Sequence, residues 1–141
     1  MIIVDSCGWI EYLKGSKKGE KYEKYLTDMK KIITPTIVIY EVYKKIKKEL
    51  GEEKALLIIS QLLRTKIIPL DTDISFLAAD LSLKYKLPIP DAIVYATGVF
   101  HKAKIITSDE HFKNLPEVIF IWFHNRAEQK FSQPRKFNPR N

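Results

Sequence analysis

Cysteine is nearly absent. Cys7 is the single thiol in the chain, which excludes an internal disulfide and any zinc centre built from several cysteines. Its setting, Cys-Gly-Trp-Ile, is apolar and reads as a buried, inert thiol. The three histidines, His101, His111 and His124, show no His-x-x-x-His spacing, so a paired-histidine helical metal site is excluded as well. His111 reads as facing solvent or assisting locally rather than as a ligand. Glycine is scarce too, with five in the chain and no Gly-rich loop of the kind that cradles phosphate. No apolar run approaches the roughly 18 residues that suggest a membrane span. The N-terminus enters a strand with no basic region or cleavage site before it. A cytoplasmic location is the expectation.

What remains has the composition of an ordinary globular protein, 141 residues with 45% hydrophobic content. That length suits one domain, able to bury roughly two-thirds of its unfolded surface. The net charge of +7 points to an anionic partner, with nucleic acid first. Its distribution is uneven. The stretch from Arg126 to Asn141 carries Arg126, Lys130, Arg135, Lys136 and Arg140 against one acid, Glu128, which is +4 and leaves +3 for residues 1–125. That stretch has no apolar periodicity, so residues 126–141 read as a basic tail on a domain spanning residues 1–125. Lys44, Lys45, Lys47 and Lys48 form the densest cluster in the body. Such a run reads as a solvated helix face before it reads as a binding site.

Hydrophobic spacing divides the body into alternating strands and helices. Ile2-Ile3-Val4 reads as a short buried strand that stops on Asp5 and Ser6. Gly8 to Leu13 suits a short helix broken at Gly15-Ser16, and Lys17 to Lys30 resumes with Tyr22, Tyr25, Leu26 and Met29 at helical spacing. Ile32-Ile33 is a second strand. Thr34 is then placed to cap a helix with Pro35 at its first position, and Gly51 supplies a left-handed stop after Leu50. A helix from Glu52 to Arg64 leads to a third strand, Ile67 to Leu70, which Pro69 assigns to an edge. Asp71-Thr72-Asp73 opens the next helix. Leu87-Pro88-Ile89-Pro90 reads as non-helical, and a helix follows from Pro90 or Asp91 to about Lys102. Lys104 to Thr107 and Val118 to Phe123 complete five strands. Strands separated by helices imply parallel crossovers. The expected fold class is therefore α/β: one domain with a parallel, doubly wound five-stranded sheet flanked by helices (α/β/α).

Four acids stand out from this frame. Asp5 ends the first strand, where open α/β sheets bind ligands; taken alone, capping the next helix is the commoner explanation. Glu41 is the only charge in Ile37-Val38-Ile39-Tyr40-Glu41-Val42-Tyr43, and an apolar run of that density covers every face of a helix. It either turns outward to Lys44, Lys45 or Lys48 or is buried at a cost of several kcal/mol unless something pairs with it. Asp91 opens a helix after Pro88 and Pro90. The helix dipole favours a carboxylate there by about 0.3–1 kcal/mol, and the same prolines fix the chain tightly enough to aim a side chain. Asp109 follows the fourth strand as Asp5 follows the first; if those strands are neighbours, the carboxylates converge. Two like charges about 4 Å apart repel by roughly 4 kcal/mol at an effective dielectric near 20. Four together therefore call for cations or large pKa shifts. Mg²⁺ is the natural resolution, since it takes oxygen ligands from carboxylates, waters and substrate phosphates.

These residues carry a resemblance. Ile-Ile-Val-Asp-Ser, Glu41 in an apolar helix, Leu-Pro-Ile-Pro-Asp-Ala-Ile-Val-Tyr-Ala-Thr and Ile-Ile-Thr-Ser-Asp-Glu-His-Phe together resemble a PIN domain. The likeness is to the compact kind found in VapC-type toxins of bacterial and archaeal toxin–antitoxin pairs, and it runs from Met1 to about Phe123. Its specific part is Pro-Asp-Ala followed about eighteen residues later by Thr-Ser-Asp-x-x-Phe. The resemblance implies an endoribonuclease in which Asp5, Glu41, Asp91 and Asp109 hold one or two Mg²⁺ or Mn²⁺ ions, with Ser6 and Thr107 as supporting hydroxyls. It also implies a homodimer and a small antitoxin whose tail enters the active-site groove. The pattern ends before the basic tail.

The implied chemistry is hydrolysis of an RNA phosphodiester by water activated at the metal, leaving a 5′-phosphate and a 3′-hydroxyl. Lys and Arg around the groove would hold the RNA backbone. Trp9, Tyr40 and Tyr43 are candidates to stack on bases, although aromatics at helical spacing are more often core. Two other readings stay open: a non-catalytic RNA- or protein-binding module on the same fold, and a PIN nuclease of RNA processing rather than a toxin.

Overall fold

The computed structural model describes residues 1–123, in which short parallel strands alternate with helices. The order is β1 (Ile2–Val4), α1 (Ser6–Leu13), α2 (Lys17–Glu20), α3 (Glu23–Leu26), β2 (Ile33–Pro35), α4 (Thr36–Leu50), α5 (Glu52–Leu62), β3 (Lys66–Ile68), α6 (Thr72–Tyr85), α7 (Ile89–His101), β4 (Lys104–Thr107) and β5 (Val118–Phe120). Single 3₁₀ turns lie at Met29–Lys31 and Glu110–Phe112. The expected basic tail (126–141), the domain boundary at residue 125 and His124 fall outside the described residues.

All the strand pairings are parallel, as expected, but the sheet is not continuous. β1, β4 and β5 form one sheet, with β4 between its neighbours, while β2 and β3 form another. A single bridge, Ile2 to Ile32, joins the two. The division has a local cause. β1 is three residues long and leaves the sheet at Asp5, while β2 runs at once into Pro35, which has no N–H to contribute. β3 pairs only with β2, which places it at the edge that Pro69 indicated. Read across the bridge, the order is β3-β2-β1-β4-β5, so the winding direction reverses between β1 and β4. That is the switch point at which open α/β sheets take their ligands.

Burial explains the register. Ile3 and Val4 on β1 sit beside Ile105 and Ile106 on β4, and all four are fully buried. Trp9 from α1, Val38, Val42 and Ile46 from α4, and Val94 from α7 fill the layers against the sheet. Helix α1 approaches its surroundings so closely that a Cβ at Gly8 would collide with the Tyr22 ring and the Val4 side chain. Glycine is required there by space, not by backbone angle.

Three local expectations need correction. The segment Lys17 to Lys30 is not one helix but two single turns, α2 and α3, and a 3₁₀ turn. Ser16 caps the first through Gly19 N–H, and Asp28 accepts from Lys30 N–H to start the third. Capping side chains at both ends compete with a continuous helix. Thr34 is no helix cap. It lies within β2, wholly buried, with its hydroxyl bonded to that of Thr65, and α4 starts after Pro35 without a side-chain cap. Finally, α7 begins at Ile89, so Pro90 lies in the helix's first turn. Proline is tolerated there because those N–H groups have no intrahelical partner.

Candidate functional site

β1 delivers Asp5 to the switch point, where its two oxygens do different things. Oδ1 accepts from Ser6 N–H at 2.8 Å, capping α1, and Oδ2 accepts from the Thr107 hydroxyl at 3.0 Å. The cap explanation for Asp5 is thus correct and incomplete. Thr107 ends β4, and its Oγ1 also accepts from Asp109 N–H at 3.0 Å. One buried hydroxyl therefore ties the end of β1 to the turn that carries Asp109. Asp109 in turn caps the 3₁₀ turn by accepting from His111 N–H at 2.9 Å, and Phe112, fully buried, anchors that turn from below.

Asp91 enters from the other side, on the first turn of α7, and is buried to 8% exposure. Its Oδ2 lies 2.9 Å from His111 Nδ1, which is itself 3.0 Å from Asp109 Oδ1. One ligand atom from each of Asp91, Asp109 and His111 falls within 4.8 Å of the other two. Glu41, half-buried on α4, faces the same place, since it feels the charge of Asp109 and adds its own to Asp5.

The electrostatics follow from that crowding. Burial pushes the Asp5 carboxyl up to about 6, with the bonds from Ser6 and Thr107 pulling back and the charges of Glu41 and Asp109 adding to the rise. Burial also raises Asp91 to about 7, reinforced by Asp109 and Asp5 and opposed by His111. Glu41 is raised by burial and Asp109, against the pull of Ser6. Among the described residues, no Lys or Arg makes an ion pair with any of the four acids. The lysines one turn from Glu41 are engaged elsewhere or solvated: Lys45 pairs with Glu49 at 3.1 Å, Lys44 bonds to the Tyr40 hydroxyl at 3.3 Å, and Lys48 is exposed.

Behind the acids lies a layer that the sequence did not announce. Tyr22, fully buried, donates its hydroxyl hydrogen to Ser108 Oγ at 2.8 Å. The Cys7 thiol sits among Ser108 Oγ, Thr107 Oγ1 and Tyr22 OH at 3.5–3.7 Å. Cys7 is half-buried rather than fully buried, and burial, with the charge of Asp5 adding to it, pushes the thiol up. Tyr22 was legible only as an apolar helical position, and nothing in its spacing marks the bond to Ser108. His111 had a weak signal, two residues past Asp109 in a turn, and its ring joins the site rather than facing away from it. The stacking candidates separate. Trp9 is wholly buried and belongs to the core, whereas Tyr40 is exposed with Lys44 Nζ 5.4 Å from its ring centroid.

Comparison with known proteins places the fold. Residues 2–118 match the family model for the PIN domain, and the chain belongs to that family. No curated protein matches the sequence significantly. Among solved structures, a toxin–antitoxin complex from Klebsiella pneumoniae superposes with a TM-score of 0.75 at 24% identity, covering 88% of this chain and 100% of that one. VapBC2 from Rickettsia felis, bound to a DNA fragment from its promoter, gives 0.67 at 18%, covering 86% and 98%. VapC20 from Mycobacterium tuberculosis, a toxin that cleaves the sarcin–ricin loop, gives 0.63 at 13%, covering 74% and 85%. At these identities the likeness is one of fold.

Proposed function

We propose that the chain is a Mg²⁺- or Mn²⁺-dependent endoribonuclease and the toxin half of a VapBC-type toxin–antitoxin pair. One observation carries the reading: buried and half-buried carboxylates share one electrostatic environment at the switch point, and among the described residues no Lys or Arg pairs with them, only the His111 ring. A cation is what that arrangement lacks, and the oxygen donor set suits a hard divalent ion. Asp5, Glu41, Asp91 and Asp109 would hold it, while Ser6 and Thr107 orient Glu41 and Asp5 from behind. The ion would supply activated water and charge stabilisation at the leaving oxygen. The chain's own part is to fix the carboxylates on two strand ends and two helices, so that little reorganises during reaction. The products are a 5′-phosphate and a 3′-hydroxyl.

The toxin assignment draws on the solved structures of similar fold, several of them toxin–antitoxin assemblies. A cytoplasmic protein that forms a homodimer and meets a small antitoxin follows from that reading, as does RNA held by the +7 chain. The test is RNA cleavage by purified protein in Mg²⁺ or Mn²⁺, with EDTA and Asp5→Asn as controls. Cleavage abolished by both is expected; cleavage that survives both overturns the assignment of these residues.

A further inference from the structure

His111 occupies a place that four carboxylates alone do not explain. Its Nδ1 stands 2.9 Å from Asp91 Oδ2 and 3.0 Å from Asp109 Oδ1. Neighbouring ligands on an octahedral ion with bonds of about 2.1 Å are themselves about 3.0 Å apart. The imidazole nitrogen is thus spaced from both oxygens as ligands around one ion are spaced; a ring N–H bonded to the carboxylates gives the same distances, and metal titration of His111 variants separates the two. Nor does the ring hold itself there. The backbone N–H of His111 bonds to Asp109, and the adjoining Phe112 is locked in the core. The His111 side chain is 55% exposed, so it is free of packing duties and replaceable without opening the interior.

We propose that His111 is a metal ligand through Nδ1, and that it biases the site toward a first-row transition ion over Mg²⁺. This rests on the reading of the acids as a metal site and deepens it. Mg²⁺ prefers oxygen and keeps its waters, so it gains little from a nitrogen donor that water can replace. Imidazole suits the transition ions, whose affinity for nitrogen rises from Mn²⁺ toward Co²⁺ and beyond.

Calorimetric titration of the full chain with Mg²⁺, Mn²⁺ and Co²⁺ tests it, together with the visible spectrum of the Co²⁺ form. The variants are His111→Ala, His111→Asp and, as a control on the acids, Asp5→Asn. His111→Ala is expected to weaken Mn²⁺ and Co²⁺ by about tenfold or more while Mg²⁺ changes little, and to shift the Co²⁺ bands. His111→Asp is expected to restore tight binding without the preference, because an oxygen donor serves Mg²⁺ as well. Unchanged affinities and spectrum in His111→Ala, or a rise for all three ions, would overturn the proposal; a rise would show that the ring only covers the acids. If Asp5→Asn weakens binding and His111→Ala does not, the inference about His111 alone fails. Metal binding indifferent to Asp5→Asn removes the metal site itself, and this inference with it.

Discussion

Glu41 and Glu49 lie about two turns apart on the same helix, α4, and are held in opposite ways. Glu49, at the outer end, accepts Lys45 at 3.1 Å and Lys14 at 3.4 Å. Those bonds, Lys45 first, hold its carboxyl below the ordinary glutamate value. Glu41, at the inner end, has no such partner, and burial together with Asp109 pushes it up. Helix α4 carries enough lysine to neutralise both, yet the lysines serve only its solvated end. A carboxylate left without a lysine beside other carboxylates, on a helix rich in cations, is the arrangement on which the proposed metal site rests. Burial and like charge raise the acids of the cluster, whereas the surface ion pairs lower Glu49, and raised acids in a cluster are a feature of functional sites.

The contrast can be broken most forcefully at the inner end. Asp5→Asn is expected to lower metal-dependent RNA cleavage by at least about 100-fold, since loss of mere supporting partners at metal sites already costs 10- to 100-fold. The same variant is expected to melt at a higher temperature than wild type in EDTA, because it removes a buried charge whose two hydrogen bonds, from Ser6 and Thr107, do not make up for burial. Cleavage assays and thermal melts on one preparation separate the two effects. A variant that lost activity and stability together would point to misfolding.

The second effect depends on pH. Asp5 and Asp91 titrate at about 6 and about 7 in the fold, against about 3.9 in an unfolded chain. The folded state therefore binds more protons between those values, and the contribution is favourable below about pH 4 and is lost as pH climbs through 6 and 7. For Asp5 the loss amounts to about 3 kcal/mol. Glu49, lowered rather than raised, has the opposite sign, and its exposed ion pairs are too weak to give a measurable slope. Denaturant unfolding in EDTA from pH 5 to 8 is expected to show wild type losing stability relative to Asp5→Asn as pH rises. A constant difference between the two would contradict the burial of an uncompensated charge at Asp5.

Smaller changes sharpen the picture. Thr107→Val leaves Asp5 Oδ2 without its hydroxyl donor and Asp109 N–H without its acceptor, and is expected to cost about 1–3 kcal/mol in urea unfolding. Glu49→Gln, at the solvated end, is expected to leave both unfolding and metal binding unchanged within error, as exposed ion pairs do.

Much of this was legible in the residues, and the failures have physical reasons. Asp5, Glu41, Asp91 and Asp109 each looked misplaced for a different local cause, and the structure brings them into one electrostatic environment. What joins them is the pairing of β1 with β4 across about a hundred residues of chain, which no local pattern fixes. Thr34 misled because Thr-Pro is both a good helix start and a tolerable strand end, and burial against Thr65 decided between them. The break at Tyr22 misled similarly: its apolar spacing was real, but caps at Ser16 and Asp28 set the local geometry. The gap in the sheet came from strand length, which propensity does not fix to a residue. His111 carries no paired-histidine spacing that would mark it in the sequence as a ligand. Its approach to Asp91 and Asp109 depends on a tertiary turn.

The central claim is that the acids at the switch point hold a divalent cation. A crystal soaked in Mn²⁺ and measured for anomalous scattering tests it most directly. A peak bonded to Asp5 together with Asp91 or Asp109 is the expected result. Manganese found only away from that cluster, at full occupancy elsewhere on the chain, would contradict it.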